Sequence, residues 1–297
     1  MTKSIIIKGL EIPGELIDAY DDDSLVLFVG AGPSTATGYP CFEALVSQIS
    51  RECNCTAVVK EPYELFLERL NHKSKRDIHE VAHTLLCNWE LKNLTYTLPH
   101  RTLLTFFGDP AKVKIITTNY DMLFEAAAAL NGWRLPVRSY GHRLTVAGDF
   151  HGIAYLHGCL TDGPRALVLT ESDFGVAYDL RRRPKTFLGM IFEHFTVSFI
   201  GYNLGDARVR YLLQSIRRKQ GDRKHFHFWG SSPMQACSSA EMTSGVSLDE
   251  GDWAHLGLDK IAYDSANRHA VLYECLSELA RMREAANRDG KRLGGVA

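Results

Sequence analysis

The sequence predicts an α/β fold: an open, doubly wound parallel sheet of about six strands, with a helical insert forming a smaller subdomain. Three observations carry this expectation. Six short apolar runs rich in β-branched and aromatic residues recur along the chain, with amphipathic helical patterns between several of them. Several runs end in glycine or a polar residue, as strands do at the ligand edge of such sheets. One long stretch after the first run shows helical spacing and no strand pattern.

The first run, residues 24–30 (SLVLFVG), reads as a buried parallel strand. It feeds Gly30-Ala31-Gly32-Pro33-Ser34. Glycines at a strand end let the backbone turn tightly and approach a pyrophosphate, with amides and a helix start facing its charge. Pro33 has no N–H, and threonine at position 35 leaves the usual G-x-G-x-x-G incomplete. A tight strand-to-helix turn without a ligand fits this motif equally well. The helical stretch follows, with Ile78, Val81, Ala82, Leu85, Leu86 and Trp89 at helical spacing and Pro62 and Pro99 near helix starts.

The second run, 113–117 (VKIIT), delivers Thr117, Thr118, Asn119, Tyr120 and Asp121 to the same sheet edge as the glycine loop. Asparagine offers a donor and an acceptor without charge, which suits a water or a carboxamide beside a developing cation. Capping the next helix is the competing role for Asn119 and Asp121. The third run, 153–157 (IAYLH), ends in His157 and Gly158, and imidazole accepts protons near neutral pH. The fourth, 195–201 (FTVSFIG), leads into Gly201-Tyr202-Asn203-Leu204-Gly205-Asp206. Asn203 and Asp206 suit ribose hydroxyls or the cap of a helix over 206–218. Runs at 225–230 and 258–263 complete the set, and a helix is expected over 269–283. Residues 231–247 read as a surface loop, and the C-terminal stretch as a frayed tail.

Composition narrows the function classes. Apolar residues at 45% and charged residues at 23% suit an ordinary globular protein with a large core that needs no staple. A formal net charge of −1 points to neither nucleic acid nor a membrane surface. The basic clusters 181–183 and 217–219 read as solvated helix faces. The seven cysteines are irregularly spaced and form no CxxC, which argues against a disulfide framework or structural zinc and fits a reducing cytosol. No apolar stretch is long enough to span a bilayer, and the N-terminal run is short for a signal peptide, so a cytoplasmic location is expected.

Four strand-end motifs thus occur in order: Gly-Ala-Gly-x-Ser, Thr-x-Asn-x-Asp, His-Gly and Gly-x-Asn-Leu-x-Asp. Together they resemble the sirtuin superfamily, and more closely its bacterial sirtuin-like branch found as effectors of antiphage defence. The resemblance runs from about Leu25 to Leu279 and includes Leu169-Thr170-Glu171-Ser172-Asp173-Phe174 and the text around Leu256-Gly257, Tyr263-Asp264, Asn267 and His269. It implies a Rossmann-type NAD⁺-binding domain at 1–40 and 108–285, an inserted helical subdomain at 41–107 and a C-terminal tail at 286–297. By position, Gly30, Ala31, Gly32 and Ser34 would line the phosphates. Asn119 and Asp121, with Thr118 beside them, would sit at the nicotinamide and its ribose. His157 would be the catalytic histidine, and Gly201, Tyr202 and Asn203 would flank the adenosine half.

Two departures shape the functional expectation. Protein-deacylating sirtuins carry two CxxC pairs for zinc after the His-Gly motif, whereas here Cys159 has no cysteine after it until Cys237. No zinc ribbon and no metal are therefore expected. The usual Pro-Asp-Phe-Arg is replaced by Pro40-Cys41-Phe42-Glu43. The resemblance then implies an NAD⁺ hydrolase, with NAD⁺ as substrate; an NAD⁺-dependent protein deacylase or a non-catalytic NAD⁺/ADP-ribose-binding module is the alternative. It also implies gating, through a homo-oligomer or through a translocase-type ATPase or other sensor partner supplied in trans.

Overall fold

The computed structural model describes residues 2–55, 61–93, 98–140, 144, 150–203, 209–211, 213–214, 223–230 and 255–295. It opens on an antiparallel hairpin, β1 (Ile5–Ile7) and β2 (Leu10–Ile12), with Ile5 opposite Ile12. Lys8 and Gly9 join the strands at φ values of 51° and 82°. Positive φ at both central residues is the requirement of a type I′ turn, whose twist matches a two-residue hairpin. The six expected strands do not include this pair.

Helix α1 (Gly14–Asp21) buries Leu16, Ile17 and Tyr20 and leads into β3 (Leu25–Val29), buried at every residue. Six more strands follow: β4 (Lys114–Thr117), β5 (Val137–Ser139), β6 (Gly152–Tyr155), β7 (Thr196–Ile200), β8 (His225–Gly230) and β9 (Leu258–Tyr263). They pair in the order β5-β6-β4-β3-β7-β8-β9, and every pairing is parallel. The Rossmann-like α/β architecture is therefore the one expected. The three-residue edge strand β5 is the addition, too short to show a pattern in the sequence. Leu25, Leu27 and Val29 face one core and Val26 and Phe28 the other, the period-two alternation of a strand covered on both sides.

Between β3 and β4 the described residues form helices only: α2 (Gly32–Ala36), α3 (Phe42–Glu52), α4 (Tyr63–Lys73), α5 (Ile78–Asn93) and α6 (Leu98–Thr105). Helices α3 to α5 bury Val46, Ile49, Leu67, Ile78 and Ala82 in a third core of their own. Helix α6 instead sends Leu103 and Leu104 into the core beside β3 and β4. Next come α7 (Leu123–Leu130), α8 (Glu171–Phe174), α9 (Arg183–His194) and α10 (Ala266–Arg288).

The expected fraying after α10 does not occur through Gly295. Leu293 is buried, the Gly294 amide donates to Asp21 at 3.0 Å, and Arg292 reaches Asp22 at 2.7 Å. The loop expected at 231–247 and basic residues 217–219 lie outside the described residues, as does most of the helix expected over 206–218. Among the described residues no helix is long and apolar enough to cross a membrane.

Candidate active site

From β3, the next strand in sequence lies on one side (β4) and β7 lies on the other. Connections that leave in opposite directions open a crevice at the carboxyl ends, the ordinary ligand position in such sheets. The loop 30–34 leaves β3 at this point, and Gly201 leaves β7 beside it. Asn119 and His157 leave β4 and β6 at the same level. Thr117 pairs with Tyr155, and the Leu156 amide donates to the Thr117 carbonyl at 2.9 Å.

Asn119 is held by three hydrogen bonds. Its Nδ2 donates to the Gly30 carbonyl and to Ser34 Oγ, both at 3.0 Å, and its backbone N–H to Thr117 Oγ1 at 3.1 Å. A carbonyl only accepts, so the amide nitrogen must face Gly30. Both Nδ2 protons are then used, and Oδ1 is the atom left to meet a ligand. Thr118 beside it is half-buried.

Ser34, expected at the phosphates, is buried and turned inward. Its Oγ donates to Asp121 Oδ2 at 2.8 Å and also lies 3.2 Å from His100 Nε2. Asp121 is buried too, and also accepts from the Leu123 amide at 3.2 Å. It therefore acts on the cleft through Ser34 and Asn119. Burial pushes its carboxyl up to about 6, against the lowering pull of the Ser34 hydroxyl.

The glycines act by close approach more than by donation. The Gly30 amide donates to the Ile200 carbonyl at 3.0 Å and that of Gly32 to the Gly201 carbonyl at 2.9 Å, so both are spent on the β7 segment. A Cβ on Gly30 would lie 2.5 Å from the Gly201 carbonyl oxygen, and one on Gly32 2.7 Å from the Gly201 Cα. Gly201 itself sits at φ +57°, with Pro33 Cδ 2.6 Å from any added Cβ. Of the loop's backbone amides, those of Gly30 and Gly32 are thus taken, and Pro33 has none. Tyr202 is buried with its ring against Phe28 and Phe199, and its carbonyl bonds to His227 Nε2 at 2.7 Å. Asn203 is exposed at the rim. Leu204, Gly205 and Asp206 lie outside the described residues.

His157 is buried, and its Nε2 shares a hydrogen bond with the Tyr178 hydroxyl at 3.0 Å. Phe174 also meets the ring edge-on, with centroids 5.0 Å apart. Phe174 ends α8, and Tyr178 lies in the π-helical turn Gly175–Leu180 that continues it. Helix α8 starts in a capping box: Thr170 accepts from the Asp173 amide, and Asp173 accepts from the Thr170 amide. Asp173 also bonds His79 Nε2 at 2.8 Å, and Glu68 accepts from the Ser172 amide at 2.9 Å. Helices α4 and α5 thus clamp the segment that covers His157.

Close enough to Asp121 to feel its charge lies an acidic floor, Glu90 and Glu125, that sequence reasoning did not identify. Glu90 accepts from the Met122 amide at 2.7 Å, and Glu125 from the Tyr155 hydroxyl at 2.7 Å. Burial pushes each carboxyl up to about 7, and the Asp121 charge adds to both shifts. His100 was missed as well, although its spacing to Leu103, Leu104 and Phe107 puts it on the buried face of α6. A polar group on such a face needs a partner. Among the described residues, no group of three or more His, Cys, Asp or Glu is placed to hold a metal ion.

Comparison with known proteins bears on this arrangement. Residues 113–248, from β4 past β8, match the family described as "SIR2-like domain". Over this stretch the chain is similar to that family. Over 281 residues it is 29% identical to "Defense-associated sirtuin 2" of Bacillus subtilis, covering 89% of this chain and 26% of the relative. Over 303 residues it is 25% identical to "Uncharacterized protein y4cA" of Sinorhizobium fredii (strain NBRC 101917 / NGR234), covering 93% of this chain and 24% of the relative. The chain therefore spans about a quarter of the length of both curated relatives. The SIR2-like match includes Asn119, Asp121, His157 and the turn at Gly201, whereas the loop 30–34 and His100 precede it.

Proposed function

We propose that this chain binds NAD⁺ across the crevice between β3, β4 and β7 and hydrolyses the nicotinamide–ribose bond. The products are nicotinamide, ADP-ribose and a proton. The observation that supports this reading most is the polarity of Asn119. Its donors are consumed by Gly30 and Ser34, so it offers an uncharged acceptor beside the glycine loop.

Nicotinamide departs neutral, which leaves the ribosyl carbon electron-poor. Asn119 Oδ1 accepts a hydrogen bond from the attacking water or from the carboxamide, and its lone pairs favour the developing positive charge. The water oxygen bonds to the ribosyl carbon as the carbon–nitrogen bond breaks. His157 takes the water's proton, directly or through a ribose hydroxyl. For this its Nε2 must exchange the Tyr178 hydroxyl for substrate. Asp121 and Ser34 hold Asn119 in register, while Gly30, Ala31, Gly32 and Gly201 admit the pyrophosphate and Thr118, Tyr202 and Asn203 border it.

The name of the Bacillus subtilis relative supports a defence role. In this reading the chain is the effector part of an antiphage system that depletes cellular NAD⁺ in the cytoplasm. Its control comes from a homo-oligomer and from a translocase-type ATPase or other sensor partner. The test is NAD⁺ consumption followed by product chromatography, with and without an acetylated peptide. Nicotinamide and ADP-ribose appearing without peptide is the expected result. Release that requires peptide identifies a deacylase, and binding without turnover under every partner condition identifies a non-catalytic module.

A further inference from the structure

We infer that His100 is a positioning residue for the Asn119–Ser34–Asp121 cluster, donating its Nε2–H to Ser34 so that the serine proton is left for Asp121 and the serine stays anchored as the acceptor for Asn119. The reaction it serves rests on the NAD⁺-cleaving reading above; the hydrogen-bond assignment does not.

The argument is a count of protons and lone pairs. Ser34 Oγ has one proton and two lone pairs. Its proton goes to Asp121 Oδ2 at 2.8 Å, and one lone pair accepts from Asn119 Nδ2 at 3.0 Å. The remaining lone pair faces His100 Nε2 at 3.2 Å, so that nitrogen must carry a proton. The other ring nitrogen, Nδ1, is buried without a hydrogen-bond partner among the described residues, and the ring packs edge-on against Phe124 with centroids 4.8 Å apart. A proton on Nδ1 would be buried with no acceptor, whereas a bare lone pair there costs less. Complete burial also holds the imidazole down to about 3, so the ring stays neutral. Every proton in the set is thereby assigned: His100 to Ser34, Ser34 to Asp121, and Asn119 to Ser34 and Gly30.

The opposite tautomer would reverse the chain. Nε2 would then demand the Ser34 proton and Asp121 would lose its donor, although a Ser34 lone pair could still accept from Asn119. With the Ser34–Asp121 bond gone, the serine that holds Asn119 loses its anchor, and Asn119 Oδ1 is held less firmly against the positive charge that develops. The expected signature is a loss in turnover with substrate binding nearly intact, since His100 makes no contact with the cleft.

The test pairs His100→Phe, which keeps a ring and removes the donor, with His100→Gln, which keeps an N–H at similar reach. In the whole chain, side-chain ¹⁵N NMR of labelled histidine should report a neutral Nε2–H tautomer for His100 at roughly pH 7 to 8, where Asp121 is ionised. Ser34→Ala should shift that Nε2 resonance. For NAD⁺ cleavage, H100F should lose about 10–10²-fold in kcat with KM within about twofold, and H100Q should recover most of the loss. An Nδ1–H tautomer, an imidazolium at neutral pH or a resonance unmoved in S34A overturns the assignment. So does H100F at the parental kcat, or H100Q as inactive as H100F when both melt like the parent. If the parent itself releases no nicotinamide with any partner, the proposed function fails, and the NMR result alone decides the role of His100.

Discussion

Asn119 is restrained by a carbonyl on one side and a saturated hydroxyl on the other, so its chemistry can be tested one atom at a time. Asn119→Ala removes the acceptor and should lower NAD⁺ turnover by about 10²–10³-fold. His157→Ala should lower it by about 10²–10⁴-fold, the usual range for a lost general base. Nicotinamide release measures both, and parental rates in the two variants would remove these residues from the mechanism. The acidic floor makes a different prediction. Glu125 is pushed up to about 7, so its neutral form is favoured by folding. The resulting stability is fully present below the ordinary glutamate range and is lost as pH rises through about 7. Glu125→Gln mimics the neutral form. The variant's melting temperature minus the parent's should therefore climb between roughly pH 4.5 and 7 and level off above, reflecting a few kcal/mol. A difference that does not change with pH would show that Glu125 ionises freely. Asn119, Asp121 and His157 were legible in the sequence because each stands at the end of an apolar run. His100 and Glu125 were not, because nothing in their neighbourhood along the chain names the group they would touch.

At the scale of elements, two junctions hold the crevice open and in register. The first is the contact of the 30–34 loop with the β7 turn, where Gly201 is left-handed and pressed against Pro33 and Gly32. Gly201→Ala should cost about 1–3 kcal/mol of stability by chemical denaturation, because both the backbone conformation and the space are wrong for a side chain. A neutral result would mean that the turn can move. The second junction is α8 with its π-helical turn, held by Asp173 through its own cap and His79. Asp173→Ala should destabilise the fold by about 1–3 kcal/mol and increase hydrogen exchange over 171–180, where Tyr178 meets His157. Unchanged exchange there would show that the helical module does not control the cover of His157. Six main strands were readable from runs of apolar residues. The edge strand β5 and the hairpin β1–β2 were not, since three residues make too short a pattern and Lys8-Gly9 is not a typical I′ turn pair.

For the whole molecule, the buried state of His157 and its bond to Tyr178 suit an enzyme held at rest until something shifts α8. A hydrolase that depletes NAD⁺ needs such control, and assembly is the proposed source. Specific activity should therefore rise with protein concentration or on adding a partner, in step with a larger species by size exclusion. A lone monomer with full activity would refute gating by assembly. The residues that line the crevice were visible in the chain because they obey local rules: apolar runs make buried strands, and glycine, asparagine and histidine mark where the strands stop. The direction in which each polar atom points was not visible. Asn119 is set by Gly30 and Ser34, 89 and 85 residues away, and Ser34 by His100, 66 residues away. Only the packing of β3, β4 and α6 brings these groups within bonding distance, and with Asp121 ionised they have a single consistent way to share their protons.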